Sequence, residues 1–211
     1  MTPLVVGLAV AGAIWGFVAD RVSTRWPEHE EGVAARPIDW RTLVVAVVGA
    51  ASLAGLPLRF EDAATGVVFG VVIVALVLLL ATDLDQRLLP DVVTLPLIPF
   101  AAAVGLLGAN PFVAGELPGA VAAAIIFPLG LFILSIPFGS GAIGMGDLKL
   151  MIGVGLLLGL YRTLIGLMAG AILSGVVVVV LLATRRVTLR TFIPFGPFLI
   201  LGAIWAIFLR L

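Results

Sequence analysis

The chain has 211 residues, 62% of them hydrophobic, and a mean hydropathy of +1.29. Only 11% are charged, too few to cover the core of a soluble fold of this size, so the bilayer is the expected solvent. Net charge is zero, which argues against nucleic acid as a partner; the absence of Cys excludes disulfides, thiolate nucleophiles and Cys-ligated zinc.

A helix spanning the membrane needs about 20 mainly apolar residues. Eight stretches are candidates, at roughly 3–19, 42–58, 64–82, 92–109, 117–138, 148–161, 163–183 and 192–209, the sixth of them short and beginning beside charged Asp147 and Lys149. The first argues against a cleavable signal peptide, because its apolar run starts at Pro3 and the first basic residue, Arg21, follows it. Between the first and second spans, residues 20–41 form one longer polar connection, expected to be a short, mobile cytoplasmic segment. It contains Asp20, Glu28, Glu30, Glu31, Asp39 and the single His29, expected to be a solvated loop residue rather than a metal ligand. The fourth span carries Pro96 and Pro99, which buried helices tolerate when neighbours re-satisfy the backbone. Spacings such as Gly12/Gly16 and Gly166/Gly170 read as close helix packing. The expected fold is all-α: one membrane-embedded domain, residues 1–211, built as a polytopic transmembrane bundle.

Orientation follows from the basic residues. With the N-terminus outside, nine of the twelve, including Arg87, Lys149, Arg185, Arg186 and Arg190, fall in cytoplasmic connections. Arg59, Arg162 and Arg210 fall outside, and eight spans put both termini there.

Carboxylates kept close to the apolar zone are costly, about 2.5–3.5 kcal/mol each on insertion scales, and are functional candidates by default. Four qualify: Asp83, Asp85, Asp91 and Asp147. Asp83 directly follows the third span and Asp147 directly precedes the sixth, so parity puts both at one membrane face although they lie 64 residues apart. Two carboxylates brought together share one proton, which is what an aspartic protease uses to activate water and polarise a peptide carbonyl. Gly141, Gly144 and Gly146 ahead of Asp147 suit a bent backbone open to water and substrate. Lys149 could neutralise an acid or reach lipid headgroups. Physical argument alone does not choose among Asp83, Asp85 and Asp91. Asp85 is placed to pair with Arg87, and Asp91 to cap the fourth span. Composition and topology also leave open that these acids merely face water at headgroup level. A transporter or channel component would use them as ion or proton sites, but it should carry them near mid-span in two related halves.

Three stretches resolve the choice through resemblance. Asp83-Leu84-Asp85-Gln86-Arg87-Leu88-Leu89-Pro90-Asp91, followed by Thr94-Leu95-Pro96, resembles a D-x₅-[IL]-P-[DN]-x-x-T pattern. Gly144-Met145-Gly146-Asp147-Leu148-Lys149-Leu150 matches GxGDxKL. Ile193-Pro194-Phe195-Gly196-Pro197-Phe198-Leu199 is similar to a segment near the C-terminus of the same family, the type IV prepilin peptidases, which are membrane aspartic proteases. A weaker match runs from Ala11 to Pro27. GxGD alone is a weak string in a chain with 25 Gly; the paired motifs in matching order and parity are specific.

The resemblance implies that Asp83 and Asp147 are catalytic, with Gly144, Gly146, Lys149, Pro90 and Asp91 as motif support. It implies as substrate the basic leader of a type IV prepilin or pseudopilin, cut after Gly at the cytoplasmic face of the cell membrane. Cleavage needs no cofactor and no metal. Many bacterial relatives also N-methylate the new terminus with S-adenosylmethionine, and usually carry a zinc-binding loop with two CxxC pairs. Here the corresponding loop, residues 20–41, has no Cys, and Phe17-Val18-Ala19-Asp20 replaces the usual Ser-Phe-Leu-Asn.

Overall fold

The structure, a computed structural model, describes residues 2–27, 36–138, 143–186 and 194–210. His29, Glu28, Glu30, Glu31, Gly141, Arg190 and Ile193 lie outside the described residues. Seven α-helices occur among those described: α1 (Thr2–Ser23), α2 (Trp40–Arg59), α3 (Ala63–Gln86), α4 (Asp91–Leu106), α5 (Leu117–Ser135), α6 (Met145–Ala183) and α7 (Gly196–Phe208). Five of them, all but α4 and α7, are long and apolar enough to cross a membrane. Large apolar side chains such as Leu4, Val10, Ile14, Leu43, Val67, Ile125 and Ile172 point outward, as they do when lipid is the solvent. The protein is an all-helical membrane protein.

The eight expected stretches fall on these seven helices, two of them on α6. Its 39 residues are interrupted at Gly159, where φ is 71° and ψ 179°. That combination is open essentially only to glycine. Beyond it the chain turns back. Arg162 reaches the carbonyl of Ala206, while Gly166 lies against Gly202 and Gly170 against Phe198, so the second arm runs antiparallel to α7. The break frees carbonyls that would otherwise be bonded within a helix. Buried Asn110, in the α4–α5 connection, donates to Leu157 O at 2.7 Å and accepts from Phe112 N at 3.0 Å.

Glycine sets the helix spacing. A Cβ at Gly12 would meet the backbone of Gly49, and one at Gly16 the backbone of Val45 and Ala46, so α1 and α2 approach in direct backbone contact. α3 runs through the centre and supplies Phe69, Ile73, Leu76, Leu79 and Leu80 to the core. It packs on α1, α2 and α7, while α6 packs on α4, α5 and α7.

Candidate active site

Both motif aspartates lie inside helices rather than in the connections beside them. Asp83 occupies the last turn of α3, and Asp147 the first turn of α6. α3 stops because Arg87 turns left-handed, with φ 57° and ψ 36°, and returns its N–H to Asp83 O at 3.0 Å. The chain then crosses through Leu88-Leu89-Pro90 to the start of α6. A Cβ on Gly146 would lie 2.8 Å from Leu89 Cβ and 3.2 Å from Leu89 O, so this glycine lets the connection close against the aspartate-bearing helix. Gly144 is the residue before α6; its N–H donates to Asp147 Oδ2 at 3.3 Å. Pro90 holds the corresponding place before α4.

The two aspartates meet at Gly196, the first residue of α7. The position a Cβ would take there is 2.9 Å from both Asp147 Oδ1 and Asp83 Cγ, so these two atoms are less than twice that distance apart. Any side chain at residue 196 would occupy the space between them. Asp83 is almost fully buried, and its Oδ2 has no hydrogen-bond partner. Asp147 and Arg87 are the charges that act on it. Gly196 was visible in the sequence only as part of the third motif, and nothing there placed it between the acids.

Two expectations are corrected. Asp91 is not the cap of α4: it is the first helical residue, after Pro90, and no side-chain cap is formed. Its carboxylate instead accepts Lys149 Nζ at 2.7 Å on both oxygens, tying α4 to α6 two residues past Asp147. In that position it also complements the positive end of the α4 dipole. Asp85 does not pair with Arg87. It is buried between Arg36 Nε at 2.9 Å and Arg41 Nη1 at 3.1 Å.

That pair opens a network unforeseen from the residue pattern. Asp20, expected in a solvated loop, belongs to α1 and is 1% exposed. It bonds Arg21, Arg36 Nη2 at 2.5 Å and Thr42 Oγ1 at 2.7 Å. Arg36 also bonds Asp39, which caps α2 by accepting from Arg41 N at 2.9 Å. The Arg36 hydrogen bond holds the Asp39 carboxyl below its ordinary range. Gln86 Nε2 donates to Ser23 O at 2.5 Å and Trp26 O at 3.2 Å. Both described ends of the segment expected to be mobile are therefore fastened to α3, two and three residues past Asp83.

Acids at helix ends, meeting across a glycine, fit peptide hydrolysis better than ion transport, which calls for acids at mid-span. The comparisons with known proteins agree. Residues 70–180, which include both aspartates, match the type IV leader peptidase family. A protein of Burkholderia pseudomallei (strain K96243), named prepilin leader peptidase/N-methyltransferase, is 32% identical over 172 residues, covering 79% of this chain and 53% of that protein. A protein of the same name from Pseudomonas putida is 30% identical over 187 residues, or 85% and 57% of the two chains. One from Aeromonas salmonicida is 32% identical over 124 residues, or 59% and 43%. The chain spans about half the length of the curated relatives it matches. No solved structure matches it. On these grounds the chain belongs to the type IV leader peptidase family.

Proposed function

We propose that the protein is an intramembrane aspartic endopeptidase. It removes the basic leader of type IV prepilins or pseudopilins, cutting after Gly at the cytoplasmic face of the cell membrane, with Asp83 and Asp147 as the catalytic pair. The observation that carries this reading is the meeting of two carboxylates, 64 residues apart in the chain, across the bare Cα of Gly196.

Chemically, the pair shares one proton. The ionised carboxylate takes a proton from water as the water oxygen bonds to the scissile carbonyl carbon. The protonated carboxyl hydrogen-bonds the carbonyl oxygen and donates its proton to it. When the tetrahedral intermediate collapses, the C–N bond breaks and the amine leaves with a proton returned by the pair. The two carboxyls act as a unit, and neither is assigned as the base. The absence of a side chain at Gly196 leaves room for the water and an extended peptide.

In this reading the chain forms a single domain of eight spans, with both termini outside and the aspartates inside. Cleavage is assigned no cofactor. S-adenosylmethionine would enter only through methylation of the new terminus, and two grooves among the described residues fit it poorly. One is lined wholly by apolar side chains. The other carries polar groups only at Glu61 and Asp62, at the end away from the aspartates.

The test is co-expression with a candidate prepilin, followed by mass analysis of its N-terminus. A product beginning just after Gly is expected. An uncleaved leader with every candidate prepilin would overturn the reading. A product heavier by one methyl group would add methyl transfer to it.

A further inference from the structure

Three arginines gather at the end of the bundle away from the aspartates. Arg59 ends α2, Arg162 follows the break in α6, and Arg210 follows α7. Arg59 and Arg162 both lie over the Phe112 ring, 5.4 and 4.0 Å from its centroid, and both donate to Leu209 O, at 3.4 and 2.7 Å. Arg210 donates to Leu58 O at 3.0 Å. The Arg210 charge acts on Arg59, and the Arg59 charge acts on Arg162.

Like charges this close call for a counter-charge. Among the described residues none of the three forms an ion pair. Asp62 is committed elsewhere, accepting from Thr65 N and Oγ1 at 2.8 Å each. Glu61, exposed on the same rim, stands beyond ion-pair distance. The carbonyls that the arginines do reach are the C-terminal ends of α2 and α7, worth about half a negative charge each against three positive ones. Arg59 Nε is buried and lacks a hydrogen-bond partner. Among the described residues the cluster is therefore under-neutralised, with donors to spare.

An apolar groove of about 650 Å³ opens beside it between α1, α2 and α3, lined by Leu4, Leu8, Leu53, Phe60 and Gly66, with Glu61 and Asp62 as its charged lining. Phe60 belongs to both features: it lines the groove, and its ring lies 5.2 Å beneath the Arg59 guanidinium. A polar anion joined to a long apolar chain matches this pairing, and guanidinium groups bond phosphate oxygens two at a time.

We propose that this end of the bundle binds a glycerophospholipid with an anionic headgroup. The headgroup phosphate sits on Arg59, Arg162 and Arg210, and an acyl chain lies in the groove beside Phe60. The assignment is independent of the aspartates and stands or falls separately from the peptidase reading.

Native mass spectrometry of the full chain in detergent tests it, comparing added phosphatidylglycerol and phosphatidylcholine of identical chains. Preferential retention of phosphatidylglycerol is expected, with about a fivefold loss of that preference for each arginine changed to Gln. Lys at all three positions keeps the charge but not the paired donors, so it should retain part of the preference where the triple Gln variant retains none. Gly66→Leu, whose side chain enters open groove space, should weaken retention of either lipid. Equal retention of the two lipids by the unaltered protein would overturn the proposal, as would a preference surviving the triple Gln variant. Release of phosphatidylglycerol by millimolar inorganic phosphate would mark a free-anion site and overturn the lipid assignment. Unchanged retention in Gly66→Leu would overturn the placement of the acyl chain.

Discussion

Residue 196 shows how little room the proposed chemistry has. A methyl group there would press on the Asp83 carboxylate and stand 2.9 Å from Asp147 Oδ1. Gly196→Ala should therefore reduce prepilin cleavage by about a hundredfold or more, since displacement of reacting groups by about 1 Å has that effect, while membrane insertion persists. Cleavage of a prepilin reporter on immunoblots, beside the level of membrane-extracted protein, checks both halves. Asp83→Asn and Asp147→Asn each remove a proton-transfer group, worth about 10²–10⁴ in rate. Each should abolish detectable processing in the same assay. Asp91→Asn keeps a polar partner for Lys149 at a partly exposed pair, so its effect should be small by comparison. If Asp147→Asn cleaved at the unaltered rate, the catalytic assignment of that residue would fail.

Helices are held in place here by a few buried or glycine-specific contacts. Gly159 sustains the reversal within α6 at a φ of 71°. Gly159→Ala should cost about 1–3 kcal/mol, read as a lower midpoint of thermal unfolding in detergent. The charged network at the aspartate end has a pH signature through Asp39. Its carboxyl is held below the ordinary value of 3.8 by the Arg36 hydrogen bond, so the folded state binds that proton more weakly than the unfolded chain. This stabilisation is fully present above the unfolded value of about 4 and is lost as pH falls through the lower folded value. Asp39→Ala should remove it together with the α2 cap, about 1 kcal/mol at neutral pH. The difference from the unaltered protein should shrink below about pH 4; a difference independent of pH would refute the ionic part. Asp85→Asn leaves Arg41 without its acid. It should destabilise the junction of α2 and α3 by about 1–3 kcal/mol, measurable as faster amide exchange at both helix ends.

For the whole molecule, the placement of charge relative to the bilayer is the property to test. The chain has no Cys, so a single introduced thiol reports a face without background. Cysteine at Glu61 should react with an impermeant maleimide from outside intact cells, and cysteine at Arg185 only after permeabilisation. The reverse pattern would move the aspartates to the outer face and remove the proposed access to cytoplasmic leaders.

Much of this architecture was legible in one dimension. Runs of about 20 apolar residues can be satisfied only as helices in lipid, so the segments at 42–58 and 64–82 could be marked before any contact was known. The division of α6 was expected at Arg162, a charged residue, and the structure places it three residues earlier, at Gly159. Parity put Asp83 and Asp147 at one end because each span reverses the chain. What a string of residues does not carry is lateral order: which helix lies beside which. That order brought Gly196 between the aspartates, buried Asp20 against Arg36, and gave Asp85 to Arg36 and Arg41 rather than to nearby Arg87. It also gave Asp91 to Lys149, on another helix, in place of its own helix end. Hydropathy and span length act locally and along the chain, so sequence alone determined the helices and their alternation. Close packing and charge pairing act between segments far apart in the chain, so only the tertiary structure decided which side chains meet.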